Sequence, residues 1–227
     1  LLYFMDDEIC KFTVWLHSMN PSDTSGTYVN QQIGGQHLKF AYEIDPILAV
    51  NLAMRYKLKS LDELLQQLII KDPLPAISYP DAVQFFIGIN AGTHMPSYHL
   101  LFWAPLAPID SITLFLPPFG SNSYILQYTM RSLESHDVNL TFFYVPQIVQ
   151  SLRFDYKGYV ERFIVETAKV SQLFAHQIIW NMLANSYKDE DSQEPDDLKP
   201  TLDRIQQTML KSFSAQDLKF YEKEFGF

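Results

Sequence analysis

Outside its proline-rich middle, the chain repeats apolar residues at the three-to-four-residue spacing of an amphipathic α-helix. Several of these segments open on helix-start signals: Asp45 before Pro46, Ser60 with Glu63 three residues later, and Ser214. The pattern predicts roughly seven to ten helices of about 10 to 17 residues and no strand pairs. We therefore expect an all-α fold, with stacked antiparallel helix pairs forming an α-α superhelix.

The segments differ in length and show no fixed repeat, which argues against a tetratricopeptide or ankyrin array. A first helix is predicted within residues 1–19, followed by a polar loop near 20–36. Residues 189–200 form an acidic stretch that we interpret as an exposed loop. The other predicted helix caps are Ser121 or Ser123, Asn139 and Thr201.

Composition narrows the class of protein. The chain has 227 residues, a hydrophobic fraction of 47% and a net charge of −9, so it is globular and acidic. An acidic surface repels phosphates, and we expect no nucleic-acid partner. The single cysteine, Cys10, excludes a disulfide within the chain and fits a reducing, cytoplasmic compartment. No apolar run is long enough to predict a membrane-spanning helix.

The sequence contains no motif that carries a reaction. His94 and His99 lack the spacing of a zinc-binding helix, and the acidic loop lacks the glycine of a calcium loop. There is no phosphate-binding loop and no nucleophile elbow. His176 lies four residues before Trp180, which we interpret as a packed aromatic pair, with Trp180 buried. We therefore assign no catalytic, cofactor-binding or metal-binding residue.

Pro146 interrupts a segment, FFYVPQIVQSLRFD, whose apolar residues otherwise keep helical spacing. Proline removes one backbone donor and crowds the preceding turn. Because the apolar stripe keeps its phase on both sides, we expect one kinked helix that begins at Asn139. The alternative is that Pro146 lies in the first turn of a short helix.

Three stretches together carry a family resemblance. They are the pattern PQIVQSLR from Pro146 to Arg153, the GYVERF helix that follows, and SQLFAHQIIWNM from Ser171 to Met182. This combination resembles the helical accessory domain (PIK domain) of phosphoinositide kinases, and the type III phosphatidylinositol 4-kinases more than the 3-kinases. The resemblance implies an accessory domain over residues 94–227, preceded by a helical run-in over 1–93, as part of a larger protein.

The resemblance also implies a function for the larger protein. It would transfer the γ-phosphate of ATP, with Mg²⁺, to the 4-hydroxyl of phosphatidylinositol, as a cytoplasmic enzyme peripheral to the plasma membrane. The catalytic motifs of that reaction are expected after Phe227, so this chain would be a scaffold without a cofactor of its own. The implied partners are the kinase domain of the same polypeptide, membrane-anchoring scaffold proteins and the phosphatidylinositol-containing membrane.

Eight residues of the resembling helices are expected to form the interdomain scaffold, with the polar ones bonding across helices or facing solvent. They are Pro146, Gln147, Gln150, Arg153, His176, Gln177, Trp180 and Asn181. Two other classes stay open: a helical-repeat scaffold or adaptor without lipid-kinase chemistry, and a small stand-alone enzyme. The missing motifs argue against the latter.

Overall fold

The structure, a computed structural model, describes residues 31–88, 97–188 and 194–226. Within these ranges every regular element is helical, which confirms the all-α prediction. The α-helices are α1 (Gln31–Ile44), α2 (Pro46–Tyr56), α3 (Lys59–Lys71), α4 (Ala82–Ile87), α5 (Pro108–Thr113), α6 (Ser123–Glu134), α7 (Val138–Phe142), α8 (Val145–Ser151), α9 (Tyr159–Val170), α10 (Gln172–Ala184), α11 (Lys199–Ser212) and α12 (Ala215–Phe225). Three short 3₁₀ helices span Leu74–Ala76, Ser97–Leu101 and Leu152–Phe154.

The chain divides into two compact units between Leu68 and Ile69. The division predicted from the sequence lies between residues 93 and 94, and it stays a prediction, as does superhelical stacking of the helix pairs. None of the helices in the described ranges is long and apolar enough to cross a lipid bilayer.

In the N-terminal unit, local sequence signals set one helix boundary and packing between helices overrides them at another. Asp45 caps α2 as predicted, accepting a hydrogen bond from the Ile47 amide at 3.0 Å. By contrast, α1 begins at Gln31, so residues 31–36 of the predicted loop are helical. Gly35 lies in α1, and a β-carbon there would be only 3.5 Å from Leu64 Cδ2, so contact with α3 outweighs the low helix propensity of glycine. Residues 1–30, including the predicted first helix, lie outside the described residues.

Helix boundaries follow capping chemistry, though not always at the predicted residue. Ser214 caps α12 as expected, accepting a hydrogen bond from the Asp217 amide at 3.2 Å. The other predicted caps were wrong by one to three residues. In two helices a neighbouring side chain caps the helix instead, and in two others the helix begins before the predicted cap residue. Asn122 caps α6 and Asp137 caps α7, while Ser60 lies inside α3 and Thr201 inside α11.

One hydrophobic core organises the C-terminal unit, with α10 at its centre. Helices α7, α8, α9 and α11 all pack against α10. Phe174, Ile178 and Met182 of α10 are fully buried in this core, and Phe174 meets Phe163 of α9 edge to face, with 6.2 Å between ring centroids. Tyr221 anchors α12 to the same core, and its hydroxyl donates a hydrogen bond to the Gln172 carbonyl at 3.1 Å.

The irregular segment 103–107 lies against α6. Its backbone groups bond to side chains of α6 and to His136 just after α6, because the segment belongs to no helix or sheet. The Tyr128 hydroxyl donates to the Ala104 carbonyl at 2.7 Å, and burial raises the pKa of Tyr128 to about 12, so this donor keeps its proton. Ser132 Oγ and His136 Nε2 bond to the amide and carbonyl of Leu106. Helix α6 therefore fixes the path of this segment.

Candidate functional site

Helix α8 carries the first half of the predicted site, and it begins at the proline. Tyr144 precedes α8 with φ −106° and ψ 11°, and Pro146 occupies the first turn, where the missing amide has no intrahelical acceptor to serve. The preceding helix α7 ends at Phe142. The prediction of one kinked helix was therefore wrong, and the first-turn alternative holds. The apolar stripe misled because Val138 of α7 packs against the same core that contains Val145 of α8, although the two helices are separate.

A polar network joins the end of α8 to the end of α10. Arg153, just after α8, donates from Nε to Gln150 Oε1 at 2.9 Å. Gln150 in turn donates to the side-chain oxygen of Asn185, the residue that ends α10. Gln150 and Arg153 therefore bond across elements, which is one of the two alternatives left open for the polar signature residues. Asn185 was missed, since nothing local to it indicates a partner 35 residues earlier.

Arg153 also forms an ion pair with Asp196, which lies in the acidic stretch 189–200. Its guanidinium makes a two-pronged pair with Asp196, with Nη1–Oδ1 at 2.8 Å and Nη2–Oδ2 at 3.1 Å. Asp196 accepts a further bond from the Leu198 amide at 2.8 Å, and its own amide donates to the Ser186 carbonyl at 3.0 Å. The Arg153 guanidinium holds the pKa of Asp196 below its usual range. We call this arrangement the Arg153–Asp196 clamp; it ties α8 to the start of α11.

The clamp makes a pH-dependent contribution to stability. Because the pKa of Asp196 is lowered in the folded chain, its contribution is present above the ordinary value of 3.8 and is lost as pH falls below it. Arg153→Met should lower the free energy of unfolding by about 1 kcal/mol at pH 7, since the pair is two-pronged but partly exposed. Denaturant unfolding from pH 7 down to pH 3.5 should show this difference shrinking.

The matched control is Arg162→Met on the exposed side of α9. Asp155 contributes with the opposite sign, because burial raises its pKa and that contribution is lost as pH rises. Asp155 is unchanged in both variants, so the difference between variant and wild type cancels its effect. A difference that stays constant over the whole pH range would contradict the role of Asp196.

Helix α10 carries the second half of the predicted site, and the structure corrects two expectations there. Trp180 is 58% exposed, although its burial was predicted. The side-chain amide of Asn181 donates to the Gln177 carbonyl of the same helix at 3.0 Å, and within the described residues no hydrogen bond joins this amide to another helix. Ile178, Ile179 and Met182 fill the buried stripe. Trp180 follows Ile179 by one residue, about 100° around the helix, and so points away from the core.

His176 contacts the C-terminal helix instead of Trp180. Its ring lies 5.1 Å from the ring of Phe225 and 6.5 Å from that of Phe220, both in α12, while Nε2 is 3.9 Å from Glu224 Oε1. The predicted His176–Trp180 pair is replaced by this contact, because α12 covers the side of α10 that His176 occupies. His176 thus joins α10 to α12.

An apolar groove of about 470 Å³ borders α8 on the side of α5. Pro146, Gln147 and Gln150 line one wall. Ile109, Ile112 and Leu116, in or just after α5, are among the residues of the other wall. The α5 residues were missed, although Pro108 at the first turn and Asp110 close behind it are helix-start signals. Gln147 therefore lies at an open apolar surface.

The eight signature residues thus share one region without forming a reactive centre. Pro146, Gln147 and Gln150 line the groove wall, and Arg153 forms the Arg153–Asp196 clamp. On α10, Trp180 is exposed, His176 and Gln177 are half-buried, and Asn181 is buried. Among the described residues, no group of three or more His, Cys, Asp or Glu side chains could hold a metal ion. This arrangement can fix the positions of helices relative to one another, and it leaves Gln147 and Trp180 exposed for contact with another domain.

The chain is similar to known proteins over its whole length. Residues 89–222 match the family described as the phosphoinositide 3-kinase family accessory domain (PIK domain). The whole chain is 46% identical to phosphatidylinositol 4-kinase STT4 of Saccharomyces cerevisiae, and 37% identical to phosphatidylinositol 4-kinase stt4 of Schizosaccharomyces pombe. It is also 24% identical to phosphatidylinositol 4-kinase alpha 1 of Arabidopsis thaliana.

All of this chain is covered in each comparison, but it spans only 12% to 13% of the length of these relatives. The family match covers more than half of the chain. It includes all eight signature residues. The chain therefore belongs to the phosphoinositide 3-kinase family accessory domain (PIK domain) family.

Proposed function

We propose that this chain is a non-catalytic helical scaffold of a phosphatidylinositol 4-kinase. The observation that carries the proposal is the alignment of the whole chain with three proteins that bear that name. The larger protein would transfer the γ-phosphate of ATP to the 4-hydroxyl of phosphatidylinositol, with Mg²⁺ at its phosphates. The scaffold role is supported by a site made of helix-to-helix contacts.

The partners and location follow from that role as part of the same proposal. The kinase domain of the same polypeptide would pack on this scaffold, and membrane-anchoring scaffold proteins would hold the enzyme at phosphatidylinositol-containing membrane. The enzyme would be cytoplasmic and peripheral to the plasma membrane. Trp180 and Gln147 are the signature residues best placed for an interdomain contact, because both are exposed beside buried stripes.

The test of the activity uses the full-length polypeptide that contains this chain. Incubated with phosphatidylinositol vesicles, Mg²⁺ and labelled ATP, it should phosphorylate the inositol ring at the 4-hydroxyl. The isolated 227-residue chain should show no turnover. Failure of the full-length protein to phosphorylate the lipid would contradict the proposal, and phosphate at the 3-hydroxyl would place it among the 3-kinases.

A second arm of the same experiment tests the scaffold role. Trp180→Ala in the full-length protein should lower turnover, because a small displacement of the kinase lobes is costly to phosphoryl transfer. Tyr156→Ala, at an aromatic residue that is even more exposed (86% against 58%) and lies outside the signature helices, is the matched control and should leave turnover unchanged. If Trp180→Ala had the same turnover as Tyr156→Ala, Trp180 would not be part of the interdomain contact.

A further inference from the structure

A cavity of about 380 Å³ lies between the end of α6, helix α7 and helix α9. Its apolar wall includes Leu133, Phe163 and Val170, and none of the eight signature residues lines it. Small-molecule sites are mostly apolar hollows of about 300–1,000 Å³ that hold a few polar groups in fixed positions. The size and the wall of this cavity, which we call the α7 cavity, fit that class of site.

Thr141 of α7 gives the strongest indication that the α7 cavity binds a ligand. The residue lines the cavity and is 1% exposed, yet its hydroxyl has no hydrogen-bond partner among the described residues. The buried hydroxyl of Thr129, by contrast, donates to the Ile125 carbonyl four residues earlier at 2.8 Å. Buried hydroxyls are rarely left without a partner in folded proteins. The Thr141 hydroxyl therefore calls for a group that the described chain does not supply.

His136 adds a hydrogen-bond acceptor at the same cavity. Its Nε2 lies 2.7 Å from the carbonyl oxygen of Leu106. Because a carbonyl oxygen can only accept, Nε2 carries the proton, and Nδ1 of the neutral ring is an acceptor. No hydrogen bond between described residues uses this Nδ1. The bond to Leu106 also holds the ring in place, so the acceptor is positioned before any ligand arrives.

Carboxylates outnumber cations around the α7 cavity. Glu134 and Glu166 line it, whereas its lining contains no Lys or Arg. Lys169 pairs with Glu166 at 2.7 Å, while Glu134 has no ion pair within the described ranges. Asp137 at the start of α7 adds a third carboxylate, and Arg162 on α9 adds a second cation outside the lining. The charge at the wall of the cavity therefore favours a positively charged ligand.

From these observations we propose that the α7 cavity binds a small organic cation, an ammonium group carried on an apolar body. Glu134, Nδ1 of His136 and the Thr141 hydroxyl supply the acceptors. An ammonium group has three donors and no acceptor, so it matches them, whereas the carboxylates disfavour an anion. The apolar body packs against Phe163 and Val170. This binding uses no part of the proposed phosphoryl transfer, so either proposal can fail without the other.

Methyl NMR of the 227-residue chain, titrated with 2-phenylethylamine at pH 7, tests the proposal. This amine is protonated at that pH, as a lysine side chain is. It should give saturable shifts of the methyl signals of Leu133, Val138 and Val170, which line the cavity. 2-Phenylethanol has the same shape without the charge and should bind about tenfold more weakly, because charge-assisted hydrogen bonds are stronger than neutral ones. Phenylacetate, the anionic analogue, should not bind.

Two variants locate the cation. Thr141→Val keeps the shape of the side chain and should weaken binding of the amine by about fivefold, since one acceptor is removed. It should melt no lower than wild type, because the hydroxyl has no partner within the described fold. Glu134→Gln removes the unpaired charge and should weaken binding by about tenfold. Glu222→Gln, on the exposed surface of α12, is its matched control and should bind as wild type.

The proposal is overturned if the wild-type chain shows no saturable shifts with the amine, or if 2-phenylethanol or phenylacetate binds as tightly. It is also overturned if Thr141→Val and Glu134→Gln both bind the amine as wild type does. Thr129→Val removes a hydroxyl that is bonded within its own helix and should melt below wild type. If Thr141→Val melted equally low, the Thr141 hydroxyl would have a partner inside the fold and the proposal would fail.

Discussion

Trp103→Ala is expected to lower the free energy of unfolding by about 3–5 kcal/mol, the range for truncating a large aromatic side chain in a core. Trp103 is 1% exposed and packs on Phe86. Its indole Nε1 also donates a hydrogen bond to the Tyr79 carbonyl at 3.0 Å, which would lose this donor. The chain offers a matched control in Trp180→Ala, where the same side chain is 58% exposed.

Denaturant unfolding of the isolated chain distinguishes the two tryptophans. Trp180→Ala should change the free energy of unfolding by less than about 1 kcal/mol, as expected of surface substitutions. A large loss at Trp180 together with a small loss at Trp103 would show that the side of α10 facing the core is assigned wrongly. Trp180→Ala in the isolated chain also separates folding from the interdomain role proposed for this residue.

Capping and proline signals predicted much of the helical framework, because they act over a few residues. Asp45 with Pro46 starts α2, and Gly88 ends α4, as expected from local backbone chemistry. Pro146 obeys the same chemistry, since it opens α8 in the position that proline favours. The kinked-helix interpretation failed there because an apolar stripe reports burial, and burial is shared by two helices that pack on one core.

The environment of the site residues depended on packing that the sequence does not reveal. Helix α10 is apolar on nearly every side, so periodicity could not separate the buried Ile179 from the exposed Trp180. The partners of Gln150 and Arg153 lie 35 and 43 residues further along the chain. Their polar character was visible in the sequence, whereas the distance across the fold was not. The family resemblance located the region of the signature residues. Only the structure showed which of them line the groove, which form the Arg153–Asp196 clamp and which are exposed on α10.

Arg131 is expected to show the second large effect on stability. Its guanidinium serves the carbonyls of Leu100, Leu101 and Trp103, and it lies 5.5 Å from the centre of the Tyr128 ring. Leu100 and Leu101 are the last residues of the 3₁₀ helix Ser97–Leu101, and the Leu100 carbonyl also accepts a hydrogen bond from the Trp103 amide at 3.3 Å. Arg131→Met should lower the free energy of unfolding by about 2–4 kcal/mol, because charged hydrogen bonds are lost and the acceptors stay partly buried.

Arg131→Lys tests whether geometry or charge matters. Lysine keeps the positive charge but cannot spread planar donors over separate carbonyls, so its stability should fall between that of wild type and Arg131→Met. Arg162→Met removes an exposed arginine from α9 and should cost less than about 0.5 kcal/mol. If Arg131→Lys were as stable as wild type, charge alone would suffice. If Arg131→Met were also unaffected, the segment 100–103 would be held in place by the packing of the buried Leu100 and Trp103 side chains rather than by Arg131.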